Sequence, residues 1–220
     1  MVTGWRLSNM HLSKADIDSI PKVKRLTLIN SVTGIKPANL IGSASKEGYS
    51  NLAIFSSVIH LGSAPALLGF ILRPHTDVRR DTYQNILETE HYTINHVPSD
   101  KTCNAHYTSA KFDKTESEFD HCGFSAEYYK DFKAPYVGES VLKIGMQYLE
   151  SVEIRANNTV LVIGQIEHLS ISDDAVAEDG SVDLCRLGSV GVGGLNSYYD
   201  LCNRRDYPYA RREELPHFDT

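Results

Sequence analysis

In the second half of the chain, Leu142, Ile144, Met146 and Tyr148 alternate with Lys143, Gly145 and Gln147. This period of two belongs to a strand with one buried face. A turn over Ala156-Asn157-Asn158-Thr159 leads into Val160–Leu169, so the pattern predicts a long hairpin. In the first half the apolar residues come in short, strand-sized runs. Arg25–Val32, Asn39–Ala44, Leu52–Ile59 and Ala66–Leu72 are predicted strands, punctuated by Glu47-Gly48 and by Gly62-Ser63-Ala64-Pro65. Ser13–Ile20 reads as a short helix capped by Ser13, with Asp16 three residues on, and ended by Pro21. A stronger helix starts at Asp81, read as its N-cap, with Tyr83, Ile86 and Leu87 on one face, and runs to about Glu90. His91–Val97 returns as a strand and stops at Pro98. Asn104–Ala110 and Glu116–Cys122 are helical turns, the second closed by Gly123. Asp179-Gly180 is a turn and Leu195–Tyr199 a last strand.

Many strands, one strong helix and no βαβ alternation predict a mainly β fold with accessory helices, an antiparallel barrel that is closed or nearly closed. We read residues 1–220 as one domain with its core at about 25–200. The polar tail 203–220, with Pro208 and Pro216, is read as a surface arm.

Hydrophobic residues make up 41% and charged residues 23% of the 220, which excludes a mostly disordered chain. The net charge of -6 gives no bulk attraction to nucleic-acid phosphate, so an anion must be caught locally. No apolar run approaches the roughly 20 residues of a membrane helix. The first twenty residues lack a basic stretch followed by an apolar one. Cys103, Cys122, Cys185 and Cys202 have no framework spacing. The expectation is a cytoplasmic protein with reduced thiols, and with neither nucleic acid nor membrane as partner.

Standard catalytic signatures are missing. There is no P-loop, no GxSxG elbow and no HExxH. Gly188, Gly191, Gly193 and Gly194 are spaced GxxGxGG, without the flanking strand, helix and acidic residue of a dinucleotide turn, and we read them as a turn or close backbone approach. Cys103 with His106, and His121 with Cys122, lack a second pair at zinc-like distance. A chain without such motifs suits chemistry carried by a cofactor.

Polar groups are densest in Ser50–Ile86. Asn51, Ser56 and Ser57 surround a strand end, Arg73 follows a buried strand, and Arg79, Arg80 and Thr82 sit at a helix start. Free backbone N–H groups and the helix dipole favour an anion there, and arginines add charge-assisted contacts to phosphate. A capped helix with solvated arginines accounts for the same residues equally well.

This segment resembles the flavin reductase-like family with the FMN-binding split barrel, in particular its flavoredoxin type. The resemblance is carried by Asn51–Ser57, by Pro65-Ala-Leu-Leu-Gly-Phe70 and by Arg80-Asp-Thr-Tyr-Gln-Asn85 through to Asn95. It continues at Ser109-Ala110, Glu118-Phe119, Lys133-Ala134-Pro135, Gly164-Gln165-Ile166 and Asp179–Asp183. Ile54 stands where the family often has proline and Glu90 where it often has glycine. An arginine often found near the C-terminal glycine pair is absent. The resemblance implies an FMN-binding split β-barrel, antiparallel and Greek-key-like. It implies that Asn51, Ser56 and Ser57 line the ribityl chain and ring edge, that Arg73, Arg80 and Thr82 hold the phosphate, and that Ser109, Ala110 and Lys111 lie close to the flavin. Tyr198 or Tyr199 borders the flavin or a dimer seam, or is a core aromatic. The activity implied is NAD(P)H-dependent flavin reduction, hydride passing from NADH or NADPH to flavin N5. The homodimer is implied too, with free flavin, oxygen or a redox partner protein as acceptor. An FMN electron carrier without nicotinamide activity and a barrel that has lost its flavin are the alternatives.

Overall fold

The computed structural model describes residues 10–74 and 80–217. Two N-terminal helices, α1 (Lys14–Ser19) and α2 (Lys22–Ser31), precede five strands: β1 (Ile35–Pro37), β2 (Asn39–Ala44), β3 (Ser50–Phe55), β4 (Ile59–Ser63) and β5 (Ala66–Leu72). Helix α3 (Asp81–Thr89), β6 (His91–His96), α4 (Thr102–Tyr107) and α5 (Glu118–Cys122) follow. The chain then forms β7 (Ala126–Glu127), β8 (Tyr136–Val137), β9 (Leu142–Ile154), β10 (Thr159–Ile171), β11 (Val190–Gly193) and β12 (Ser197–Asp200).

The main sheet has seven strands, in the order β3-β2-β6-β9-β10-β5-β4, and every pairing is antiparallel. Smaller sheets are β1-β11-β12 and β7-β8. The 13-residue strands β9 and β10 form the predicted hairpin and carry two register shifts, which bend it.

The central strand β2 explains why Asn39–Ala44 shows no alternation. Leu40 packs into one core with Leu52, Val97, Phe119 and Val137, whereas Ile41 packs into another with Phe70, Ile86, Tyr92, Ile94 and Met146. A strand buried on both faces has no solvent side to encode. Burial also holds His96 neutral: its pKa falls to about 4, and Nδ1 lies 3.0 Å from the Ser189 hydroxyl.

Several expectations need correction. Arg25–Val32, predicted as a strand, falls almost wholly within helix α2. No residue of α2 is buried, and Thr27, Asn30 and Ser31 donate side-chain hydrogen bonds to carbonyls one turn back. With no neighbouring strand to pair, local bonding outweighs β propensity there. Leu52–Ile59 splits after Phe55, and the segment from Ile59 becomes β4, paired with β5. Asp81 is the first residue of α3; its N-cap is Arg80, whose side chain makes no capping bond. Four reduced thiols were expected, yet Cys185 and Cys202 form a disulfide with Cα atoms 5.0 Å apart, while Cys103 and Cys122 are free. The chain brings the end of β12 back beside the loop before β11, a proximity that a spacing of 17 residues does not reveal.

Other expectations hold. Ser13 caps α1 in a reciprocal capping box with Asp16. The glycine run is structural: Gly191 passes against the Ile35 side chain, and Gly188 and Gly194 take φ of +58° and +60°. Tyr198 is half-buried against the Leu40–Phe119 core, its hydroxyl 3.3 Å from His106 Nδ1, whereas Tyr199 is exposed. No described helix is long and apolar enough to cross a membrane.

Glu90 closes α3 in the left-handed region, at φ 60°, with its N–H on the Ile86 carbonyl. A side chain there costs about 1 kcal/mol, which glycine avoids. We expect Glu90→Gly to stabilise the protein by about 0.5–1 kcal/mol in urea unfolding. A loss of stability would mean that the Glu90 side chain outweighs its backbone strain.

Candidate functional site

The site is built where β3 meets the start of α3. Asn51 Nδ2 donates to Thr82 Oγ1 at 2.9 Å and to Ser43 Oγ at 3.4 Å. Asn85 Nδ2 reaches the same Ser43 oxygen at 3.2 Å. Strands β2 and β3 place Ser43 opposite Asn51, so both side chains share one face of the sheet. Thr82 and Asn85, three apart on α3, present one helix face to them. Ser43, Thr82 and Asn85 are buried. The Thr82 hydroxyl accepts from Asn51, which leaves its own proton to donate.

Two cations border this junction. Arg73 follows β5 and Arg80 caps α3. Neither has a carboxylate partner among the described residues. Partial burial lowers the Arg80 pKa, and the neighbouring positive charge of Arg73 lowers it further. The Arg80 Nε and Nη2 donate only to the Pro74 carbonyl, at 3.4 and 3.3 Å. Two like charges within electrostatic reach, with no carboxylate partner among the described residues, form a locus for a multiply charged anion. Arg79 lies outside the described residues.

Ser57 faces the end of β5: its hydroxyl donates to the Ile71 carbonyl and accepts from the Ile71 N–H, both at 3.1 Å. It thereby ties the β3–β4 turn to the strand that carries Arg73. Ser56 is half-buried and makes no side-chain hydrogen bond among the described residues.

The segment from Phe112 to Glu118 forms the opposite wall. Ser117 Oγ lies 2.7 Å from Ser50 Oγ, and Glu118 Oε2 accepts the Leu52 N–H at 2.9 Å. Between this wall and α3 lies a small cleft, with Asn51, Asp81, Asn85, Phe112, Lys114 and Glu118 among its lining. Glu118 is buried. Burial pushes its carboxyl up, the Leu52 N–H opposes this, and the Asp81 carboxylate adds to the rise.

The sequence-predicted residues thus fall into four groups. Asn51 and Thr82 touch each other, and Arg73 and Arg80 lie within electrostatic reach of one another. Ser57 supports the strand end beside Ser56. Ser109, Ala110 and Lys111 are exposed just after α4, next to the cleft residue Phe112 in sequence, with no bond to the Asn51 network. Residue order does not reveal Ser43 as a network member or Glu118 as a backbone acceptor. For Asn85 the one local signal is its i, i+3 spacing from Thr82. Among the described residues no group of three His, Cys, Asp or Glu side chains could hold a metal ion.

An antiparallel sheet of this order, with a hydrophobic core on either face of its strand β2 and helices alongside, defines a split-barrel protein. The chain belongs to the flavin reductase like domain family, whose model matches residues 35–185. It is similar to a split-barrel protein of the flavin reductase type from Shewanella frigidimarina NCIMB 400. Identity is 44%, over 92% of this chain and 100% of that one, with a TM-score of 0.87. The fold also matches nitrilotriacetate monooxygenase component B from Bacillus cereus (17% identity, 91% and 100% coverage, TM-score 0.80). It further matches flavoredoxin of Desulfovibrio vulgaris (Miyazaki F), at 21% identity, 80% and 92% coverage and a TM-score of 0.69. The family is one of flavin-binding oxidoreductases.

Glu118 gives this site a pH signature. A carboxyl whose folded pKa is raised favours folding below the unfolded value, and that contribution is lost as pH rises through the folded value. Glu118→Gln keeps an acceptor for the Leu52 N–H and removes the charge. Its urea midpoint should therefore gain on the wild type as pH rises from about 4 to about 7. A difference that stays constant or shrinks over that range would contradict the assignment.

Proposed function

We propose that this chain is an NAD(P)H-dependent flavin reductase that holds FMN at the junction of β3 and α3. The observation that carries the reading is the Arg73–Arg80 pair, two cations within electrostatic reach of one another and without a carboxylate partner among the described residues, with Arg80 at the start of the helix that carries Thr82. FMN requires a site for its phosphate and a polar edge for its ring and ribityl chain. The residues present fit both needs.

In this reading Arg73, Arg80 and the Thr82 hydroxyl hold the phosphate. Asn51, Ser56 and Ser57 line the ribityl chain and ring edge, and Ser109, Ala110 and Lys111 lie on its outer side. When bound, FMN supplies the chemistry, accepting hydride at N5 from NADH or NADPH. The protein's contribution is position: the Ser43–Asn51–Thr82–Asn85 network fixes the helix start against the sheet, and Ser57 fixes the end of β5. This half-reaction needs no general acid or base. His96 is consistent with that, held neutral by burial, as is Glu118, occupied with the Leu52 N–H. A homodimer, a cytoplasmic location and delivery of electrons to free flavin, oxygen or a partner protein complete the proposal.

Arg80→Ala should weaken FMN binding by about 2 kcal/mol, roughly thirtyfold in Kd, because a hydrogen bond to a charged group is lost. The urea midpoint should change little. Fluorescence quenching of FMN measures the affinity, and unchanged affinity would remove the phosphate assignment. NADH and NADPH oxidation with FMN present tests the reductase itself; no oxidation with either donor, despite tight FMN binding, would leave an electron carrier instead.

A further inference from the structure

The Cys185–Cys202 disulfide joins two parts of the chain that are held very differently. Cys185 sits on a fixed platform. Asp183 Oδ1 accepts from the backbone N–H groups of Cys185 and Arg186, at 3.0 and 3.2 Å. The turn closes through the Gly188 N–H on the Cys185 carbonyl and the Ser189 N–H on the Leu184 carbonyl. Ala175 and Leu187 flank it and are buried in the core of Ile41 and Phe70. None of these contacts depends on the disulfide, so the platform persists when the bond opens.

Cys202 lies just past β12, an edge strand that pairs only with β11. Ser197, Tyr199 and Asp200 are exposed, and Tyr198 and Leu201 are partly buried. After Cys202 the one side-chain bond back to the body, among the described residues, runs from the Arg204 guanidinium to the Ser181 hydroxyl at 3.0 Å. Without the disulfide, β12 is therefore free to unzip from its C-terminal end. Both cysteines are exposed, which opens the bond to attack by a thiolate. Exposed disulfides are the labile and regulatory ones, and in a reducing compartment they are transient. Tyr198 connects the strand to the candidate site. Its hydroxyl lies 3.3 Å from His106 Nδ1 near the end of α4, and the two rings meet edge to face. Ser109, Ala110 and Lys111 follow α4 directly.

We infer that Cys185–Cys202 is a redox latch: a dithiol opens it, β12 loosens, and α4 loses the support of Tyr198 beside the flavin site. One thiolate of the dithiol attacks a sulfur of the bond, forming a mixed disulfide and releasing the other cysteine, which takes up a proton. The second thiol of the reagent, as thiolate, displaces the remaining cysteine, which is protonated in turn. Two electrons and two protons thus pass to Cys185 and Cys202, and the dithiol becomes a disulfide. The effect on the site rests on the FMN binding proposed above; the opening of the latch does not.

The test uses the full chain, with dithiothreitol as the dithiol and no denaturant. Alkylation and peptide mass spectrometry should find Cys185 and Cys202 blocked before treatment and labelled after it, with Cys103, already free and exposed, labelled in both states. Hydrogen exchange should then show β12 losing protection while β9 and β10 keep theirs. FMN quenching should give a Kd about fivefold higher than in the oxidised protein, the lower end of coupling between sites. Cys202→Ser, at an exposed position, should reproduce both changes without dithiol, and dithiol should add nothing to them. A bond that resists dithiothreitol until urea unfolds the chain would overturn the latch, as would unchanged exchange in β12 after opening. Cys202→Ser that lowers protection in β9 and β10 as much as in β12 would also overturn it, because the disulfide would then be a structural staple. A loosened β12 with unchanged Kd would overturn the link to the site. An oxidised protein that binds no FMN would overturn that link and the cofactor reading together, with exchange in β12 still deciding the latch.

Discussion

The hydrogen bond from Asn51 to Thr82 is the joint on which the site depends. It crosses from a sheet strand to a helix start, and Ser43 and Asn85 brace it from beneath. Within the sheet, every strand is held by its neighbours. Helix α3 has no such ladder, so its entry angle depends on side-chain packing and on this small polar network. Buried polar networks define geometry sharply when each member is satisfied. Here the network sets where the backbone N–H groups of α3 point and how near Arg80 comes to Arg73.

Charge is divided across this joint. Arg73 and Arg80 lie on one side, and Asp81 and Glu118 border the cleft on the other. An acidic chain repels anions at long range, and at physiological ionic strength that repulsion fades within about 8 Å. Affinity for an anion must then come from groups in contact with it. Two cations in register with a helix start can provide that locally while the chain as a whole stays acidic.

Much of this was readable from residue order. The β9–β10 hairpin was clear because one face of β9 meets solvent, which imprints a period of two on Leu142–Tyr148. Helix α3 was clear because its apolar stripe recurs at helical spacing. Arg25–Val32 misled because Thr, Ile and Val are good strand formers, and only the lack of a pairing partner decides against a strand. The β4 break was invisible because Ser56 and Ser57 look like ordinary strand residues until Ser57 bonds across to Ile71. In the site, Asn51, Arg80 and Thr82 stood out by residue type. Ser43 and Glu118 did not, because their roles depend on the sheet register and on the α5–β3 contact, which link residues far apart in the chain.

The Glu118–Leu52 bond has one more consequence. Strands β3 and β4 are the two ends of the seven-stranded sheet, and the ends of a sheet are templates on which foreign strands can grow. On β3 the carboxylate takes up the Leu52 donor and α5 packs alongside, so that margin is blunted. On β4, Ile59 and Leu61 remain 44% and 39% exposed. Misassembly by strand accretion therefore has one open margin to exploit, and a charged residue placed at Leu61 would be the natural gatekeeper against it.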